Sequence, residues 1–190
     1  MATRGVRFLA SDIWDAPDNG KKYEVIEGDL YVSPAPDWIH QEELSNLDFF
    51  VKNWVKAHRL GRIVNAPTGV ILDDENGLEP DLIFIFHEHA DIIRRRGVFG
   101  VPDLVVEVLS PSTEGRDRGL KLHRYAASGV PHYWILNTDG PRIEERVLGD
   151  DGYWLVGTFG PGEIFRPTIF PGLEIPLDEI AVPPPAPDPS

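Results

Sequence analysis

The sequence predicts an α/β protein, and three observations carry that expectation: a strand–helix–strand pattern over Pro102–Asn137, a long amphipathic helix ahead of it, and β-prone runs on either side. Leu104–Leu109 is a short apolar, β-branched run, the signature of a strand buried on both faces. Ser110-Pro111-Ser112-Thr113 then supplies turn and N-cap chemistry. Leu122, Tyr125 and Ala126 recur at helical spacing until Gly129 and Pro131 stop them, so a helix is expected from about 113 to 128. His132–Asn137 (HYWILN) is rich in aromatic and β-branched residues and reads as the next strand. A unit of this kind sets the end of its first strand beside the first half of its helix, at the edge where open α/β sheets bind ligands. Glu107, inside the first strand, and Lys121, on the helix, are therefore expected to face one cleft. An isolated carboxylate in such a strand carries a heavy desolvation cost and needs a cation, hydrogen-bond donors or an opening to water. A metal ion would meet that need.

The remaining elements follow in order. Residues 1–20 read as a partly ordered lead-in with Trp14 as a packing anchor. Lys22–Val32 (KYEVIEGDLYV) is two β-prone runs around Glu27-Gly28-Asp29, a short hairpin with Glu27 at its bend. Asp37 can cap a helix in which Ile39, Leu44, Leu47, Val51, Trp54, Val55 and His58 recur at threes and fours until Gly61, with His40 in the first turn. His40 there reads as a surface or capping residue or as an acid/base group, depending on its neighbours. The stripe Lys52, Lys56, Arg59 describes a solvated face or a phosphate contact. Two short strands are expected around Pro67-Thr68-Gly69, followed by the acidic loop Asp73–Gly77, whose glycine and glutamate positions do not fit an EF-hand. Asp81 opens the apolar strand Leu82–Phe86 and is a second candidate ligand, or else a turn residue. Ala90–Arg96 reads as a short helix with a basic end. Pro141–Leu148 and Tyr153–Phe159 form a hairpin through Gly149-Asp150-Asp151-Gly152, and segments 164–169 and 173–180 cover the core. One domain over residues 1–182 is expected, with 183–190 (PPPAPDPS) as a flexible proline-rich tail.

Composition narrows the function classes. A net charge of −13 argues against broad attraction to nucleic acid or anionic membranes, so a nucleic-acid role needs a local basic patch. No apolar run reaches transmembrane length and the N-terminus lacks the apolar core of a secretory signal, so a cytoplasmic protein with no membrane partner is expected. The absence of cysteine excludes disulfides and thiolate metal sites and fits a reducing compartment or, with 18 prolines, adaptation to heat.

Asp81, Glu107 and Lys121 together have a mechanism. Two carboxylates from adjacent strands can hold Mg²⁺ (or Mn²⁺) with waters left on it, and a nearby ammonium can position or help deprotonate the attacking water and offset charge in phosphodiester hydrolysis. The stretches VIEGDLYVSPAPDWIHQ, EPDLIFI, PDLVVEVLSPST with the later D-x-x-x-K, and GVPHYWIL resemble the Uma2 (DUF820) family of the restriction-endonuclease-like PD-(D/E)xK superfamily. The resemblance implies an α/β fold with a mixed central β-sheet flanked by helices, and a Mg²⁺-dependent endonuclease site acting on DNA. In that site Asp81 and Glu107 would bind metal with the backbone carbonyl of Val108, Glu27 would be an extra ligand and His40 an acid/base group. In a plain (D/E)xK strand the lysine would stand at position 109, which is Leu109, so the resemblance moves its role to Lys121. Asp117 and Lys121, four apart, also fit a helix-surface ion pair. A second reading is a non-catalytic interaction module of the same fold, acting as a homo-oligomer through hairpin residues such as Tyr153 and Trp154.

Overall fold

The computed structural model describes residues 6–110, 114–183 and 186. The lead-in is a 3-10 turn, Ala10–Asp15, which buries Ala10 and Ile13 while Trp14 packs against Phe99 with ring centroids 4.9 Å apart. Strands β1 (Lys22–Ile26) and β2 (Asp29–Ser33) form the expected hairpin, with Ile26 opposite Asp29. Its two turn residues, Glu27 and Gly28, have φ of 54° and 73°, the left-handed pair that a two-residue hairpin turn requires.

Helix α1 (Trp38–His58) begins where Asp37 accepts the His40 backbone N–H at 2.9 Å, and it ends at Arg59 in the left-handed region. Then come β3 (Gly61–Asn65), β4 (Val70–Asp73), β5 (Asn76–Leu78), β6 (Leu82–Phe86), a 3-10 turn (His87–Ile92), β7 (Ile93–Arg94), β8 (Gly97–Phe99) and β9 (Leu104–Leu109). The helical segment after β9 is α2 (Glu114–Arg116), a π turn (Asp117–Lys121) and α3 (Leu122–Ser128). It is followed by β10 (His132–Asn137), the long hairpin β11 (Arg142–Gly149) and β12 (Gly152–Phe159), and the short pair β13 (Ile164–Phe165) and β14 (Ile175–Pro176).

The central sheet has the order β12-β11-β10-β9-β6-β3. It is mixed: β9 and β10 are parallel, as the strand–helix–strand pattern requires, and the other neighbours are antiparallel. Every residue of β9 is buried, because both faces of the sheet are covered. On one face Leu104, Val106 and Val108 meet Leu44, Leu47, Val51 and Val55 of α1 together with Phe165, Phe170 and Ile175 from the C-terminal segment. On the other, Val105 and Leu109 join Tyr125 of α3 and Ile26, Val70, Leu78 and Val98 of a second sheet, ordered β2-β1-β5-β4-β8-β7. Glu107 alternates with Val106 and Val108 and so points to this second face.

The two short strands expected around Pro67-Thr68-Gly69 are present and go to different sheets: β3 joins the central sheet beside β6, whereas β4 joins the second sheet between β5 and β8. One expectation is corrected. The basic end of the segment 90–96 is not helical. Arg94 pairs with Gly97 in a tight β7–β8 hairpin, because Gly97–Phe99 is drawn into the second sheet parallel to β4. The Pro111–Thr113 cap and, apart from Pro183 and Ala186, the proline-rich tail lie outside the described residues. Among the described residues no helix is long and apolar enough to cross a membrane.

Candidate functional site

A cavity of about 230 Å³ opens where β1, the start of β6, the end of β9, α1 and the π turn converge, and its lining includes Lys22, His40, Asp81, Glu107, Val108 and Lys121. Asp81 stands directly before β6, and β6 pairs with β9 so that Leu82 lies opposite Val106. This pairing brings the Asp81 carboxylate to β9, where its Oδ2 accepts the Val108 backbone N–H at 2.8 Å. The same oxygen lies 3.3 Å from His40 Nε2, and Oδ1 accepts from the Lys22 ammonium at 2.9 Å. Lys22 Nζ is also 3.9 Å from Glu107 Oε2, so one cation stands between the two carboxylates.

The other Glu107 oxygen is fixed from behind. Oε1 accepts from Tyr125 Oη at 2.8 Å and from Lys121 Nζ at 3.0 Å, which leaves Oε2 on the Lys22 side. The Lys121 ammonium is further held by Glu24 Oε1 at 2.9 Å and Asp117 Oδ1 at 3.3 Å. Its three N–H donors thus face three carboxylates, and at 1% exposure the group is sealed from solvent. Lys22, at 18%, retains a solvent-facing side. The π turn spans Asp117–Lys121 and buries both of its terminal residues toward β1 and β9.

Burial and charge act against each other here. Burial pushes the Glu107 carboxyl up, against the downward pull of the Lys121 and Lys22 ammonium groups. Burial would also raise Asp81, but the Lys22 ammonium and then His40 hold it well below the usual carboxylate range. Glu24 is likewise held low by Lys121 and Lys22 against its burial. Burial disfavours the Lys121 ammonium, yet Glu107, Glu24 and Asp117 keep its pKa well above an ordinary lysine's, so Lys121 is a fixed positive charge.

Asp81, Glu107, Lys121 and His40 come together as the sequence suggested, and Val108 adjoins them. Glu27 stands apart. It lies exposed at the β1–β2 bend, paired with Arg124, because a left-handed turn residue at the hairpin tip points away from the cavity. The acidic group that β1 supplies is Glu24, and the cation is Lys22; sequence reasoning missed both. The signal for Glu24 was the one that marked Glu107, a carboxylate within a β-prone run. Lys22 carried no local signal, since a lysine at a strand start is ordinarily solvated.

The oxygen set suits a hard divalent cation. Among the described residues no three His, Asp or Glu side chains form a ready-made metal cage. Mg²⁺, however, is commonly held by one or two carboxylates plus waters, and Asp81 and Glu107 already share a cation in the Lys22 ammonium.

A mixed sheet covered on both faces, with paired carboxylates brought together where the antiparallel strands β6 and β9 meet, defines a restriction-endonuclease-like α/β protein. The chain belongs to the Uma2 family, whose model, described as "Putative restriction endonuclease", matches residues 9–178. The fold is similar to a crystal structure described as a putative nuclease belonging to DUF820 from Anabaena variabilis, with a TM-score of 0.74 and 16% identity over 91% of this chain and 97% of the other. A segment of 56 residues is 45% identical to the uncharacterized protein slr1290 of Synechocystis sp.; it spans 29% of this chain and 30% of that protein.

Proposed function

We propose that this chain is a Mg²⁺-dependent (or Mn²⁺-dependent) endonuclease that hydrolyses phosphodiester bonds of DNA, with Asp81 and Glu107 as metal ligands and the Val108 backbone carbonyl beside them. The observation that carries this reading is the sharing of the Lys22 ammonium by Asp81 Oδ1 and Glu107 Oε2, at 2.9 and 3.9 Å. A divalent cation bound by these oxygens would polarise a phosphoryl oxygen and lower the pKa of a bound water. The chain's own residues prepare for it. Lys121 and Tyr125 hold Glu107 Oε1 so that Oε2 is presented to the cavity, and Lys121 offsets the charge of three carboxylates. His40 steadies Asp81 through Nε2, while its Nδ1 is buried without a hydrogen-bond partner among the described residues, so any contact of the ring with the site runs through Nε2. Of the two lysines lining the cavity, Lys22 is the one that keeps a solvent-facing side, 18% exposed against 1% for Lys121, and so the one better placed to meet a phosphate oxygen.

Calorimetric titration with Mn²⁺ tests the site without a substrate. The wild type is expected to bind about one to two ions per chain, Glu107→Gln none, and only the wild type should nick supercoiled plasmid in Mg²⁺. A wild type that takes up no metal would sink this reading. The second reading, a homo-oligomeric interaction module, is favoured by Trp154, Leu155 and Val156, three consecutive exposed apolar residues on β12, the edge strand of the central sheet. Under it, Trp154→Glu dissociates an oligomer in light scattering, while Glu107→Gln leaves function intact.

A further inference from the structure

Four arginines gather on the side of the molecule where the two sheets end together. Arg62 lies on β3, the edge strand of the central sheet, and Arg94, Arg95 and Arg96 lie on and beside β7, the edge strand of the second sheet. All four are exposed, and they line one cavity of about 430 Å³ together with Pro67 and Thr68. In a chain whose net charge is −13, so compact a basic cluster is a local reversal of the field.

The charges in it are mostly uncompensated. Among the described residues Arg62, Arg94 and Arg95 take part in no ion pair. Arg94 Nη1 donates to the backbone carbonyls of Asp91 and Ile93, neutral acceptors that fix the side chain without cancelling its charge. Arg96 sits over the Trp14 ring, 5.0 Å from its centroid, with only a loose 3.8 Å pairing to the exposed Asp15. The patch is also continuous with the carboxylate site. Pro67 lines both the arginine cavity and a neighbouring groove of about 280 Å³, and Lys22, His40 and Asp81 line that groove as well.

We propose that Arg62, Arg94, Arg95 and Arg96 form the platform that binds the phosphate backbone of duplex DNA and leads it along the Pro67 groove to Asp81 and Glu107. This rests on the nuclease reading above and names the surface that resolves its main electrostatic difficulty, an acidic protein holding a polyanion. Guanidinium forks match phosphate oxygens, and backbone contacts of this kind carry no base preference. The walls, including Ile63 and Val64 of β3, leave the platform partly apolar, which suits the sugar edge of a backbone strand.

The test is fluorescence anisotropy with a short labelled duplex in EDTA over a salt series, for the wild type, the triple variant Arg62→Gln/Arg94→Gln/Arg95→Gln, the single reversal Arg95→Glu, and Glu107→Gln. The triple variant should bind at least about tenfold more weakly at low salt, with the slope of log K against log salt flattened by about 2 to 3. Arg95→Glu should show a smaller loss in the same direction, and Glu107→Gln, which removes a negative charge where the groove ends, should bind at least as tightly as the wild type. Arg96 is left in place because it packs on Trp14, and the substituted positions are exposed, so folding is preserved. Unchanged affinity and slope in the arginine variants overturn the platform, and the nuclease reading then still stands if the wild type, but not Glu107→Gln, nicks plasmid. Loss of both binding and cleavage in the wild type overturns both. Binding to phosphatidylserine vesicles but not to the duplex assigns the patch to a membrane surface and overturns the proposal.

Discussion

The Lys22 ammonium lies 2.9 Å from Asp81 Oδ1 and 3.9 Å from Glu107 Oε2, so a cation from the first strand of the second sheet neutralises carboxylates of two neighbouring strands in the first. Lys22→Met removes that charge and leaves two carboxylates facing each other. The metal-free variant should melt below the wild type, by up to the 3–5 kcal/mol typical of a broken buried pair. Added Mn²⁺ should restore more stability to it than to the wild type, because the ion no longer competes with an ammonium. Thermal melts with and without Mn²⁺ check this; equal metal-induced shifts in the two proteins would refute the competition.

Tyr125 and Lys121 donate to the same Glu107 oxygen. Tyr125→Phe deletes one donor in a buried site and should cost about 1–3 kcal/mol, read as a lower urea midpoint with unchanged slope. A midpoint within error of the wild type would mean that Tyr125 does not hold the Glu107 carboxylate.

Glu24 accepts from Lys121 at 2.9 Å and from the Glu79 backbone N–H at 3.2 Å, and both contacts lie inside the molecule. Glu24→Gln keeps the shape but removes a charge that balances Lys121. It should destabilise the protein by about 1–3 kcal/mol and weaken plasmid nicking, while Glu27→Gln at the exposed hairpin tip should change neither by more than about 0.5 kcal/mol. Denaturant melts and nicking rates on the two variants compare the positions directly; equal effects would show that burial does not separate their roles.

Burial pushes Glu43 of α1 up to about 7, against a backbone hydrogen bond from Val182. Its folded pKa therefore exceeds its unfolded value near 4.5. Below the unfolded value both states hold the proton; as pH rises toward 7 the unfolded state ionises first, so this group's contribution to stability declines across that window. Glu43→Gln should match the wild type in melting temperature near pH 4 and exceed it near pH 8. A constant difference across pH would rule out the buried proton.

The elements legible in the sequence were those specified by neighbours along the chain. The Glu27-Gly28 hairpin, the Asp37 cap of α1, the β9–helix–β10 unit and the β11–β12 hairpin each depend on turn chemistry, capping and periodicity within a short window, and each is present. Asp81 and Glu107 were visible as carboxylates set against apolar runs, and Lys121 by its place on the helix that follows β9. What tertiary structure alone decided was which distant strands share an edge. It sent β3 and β4 to different sheets, turned Arg94–Gly97 into a hairpin, and placed Lys22 and Glu24 within reach of Asp81, Glu107 and Lys121. Those contacts span tens of residues, and their energy comes from burying two sheets against one another. Local propensity cannot encode that: the same Lys22 on an unpaired strand would simply be solvated.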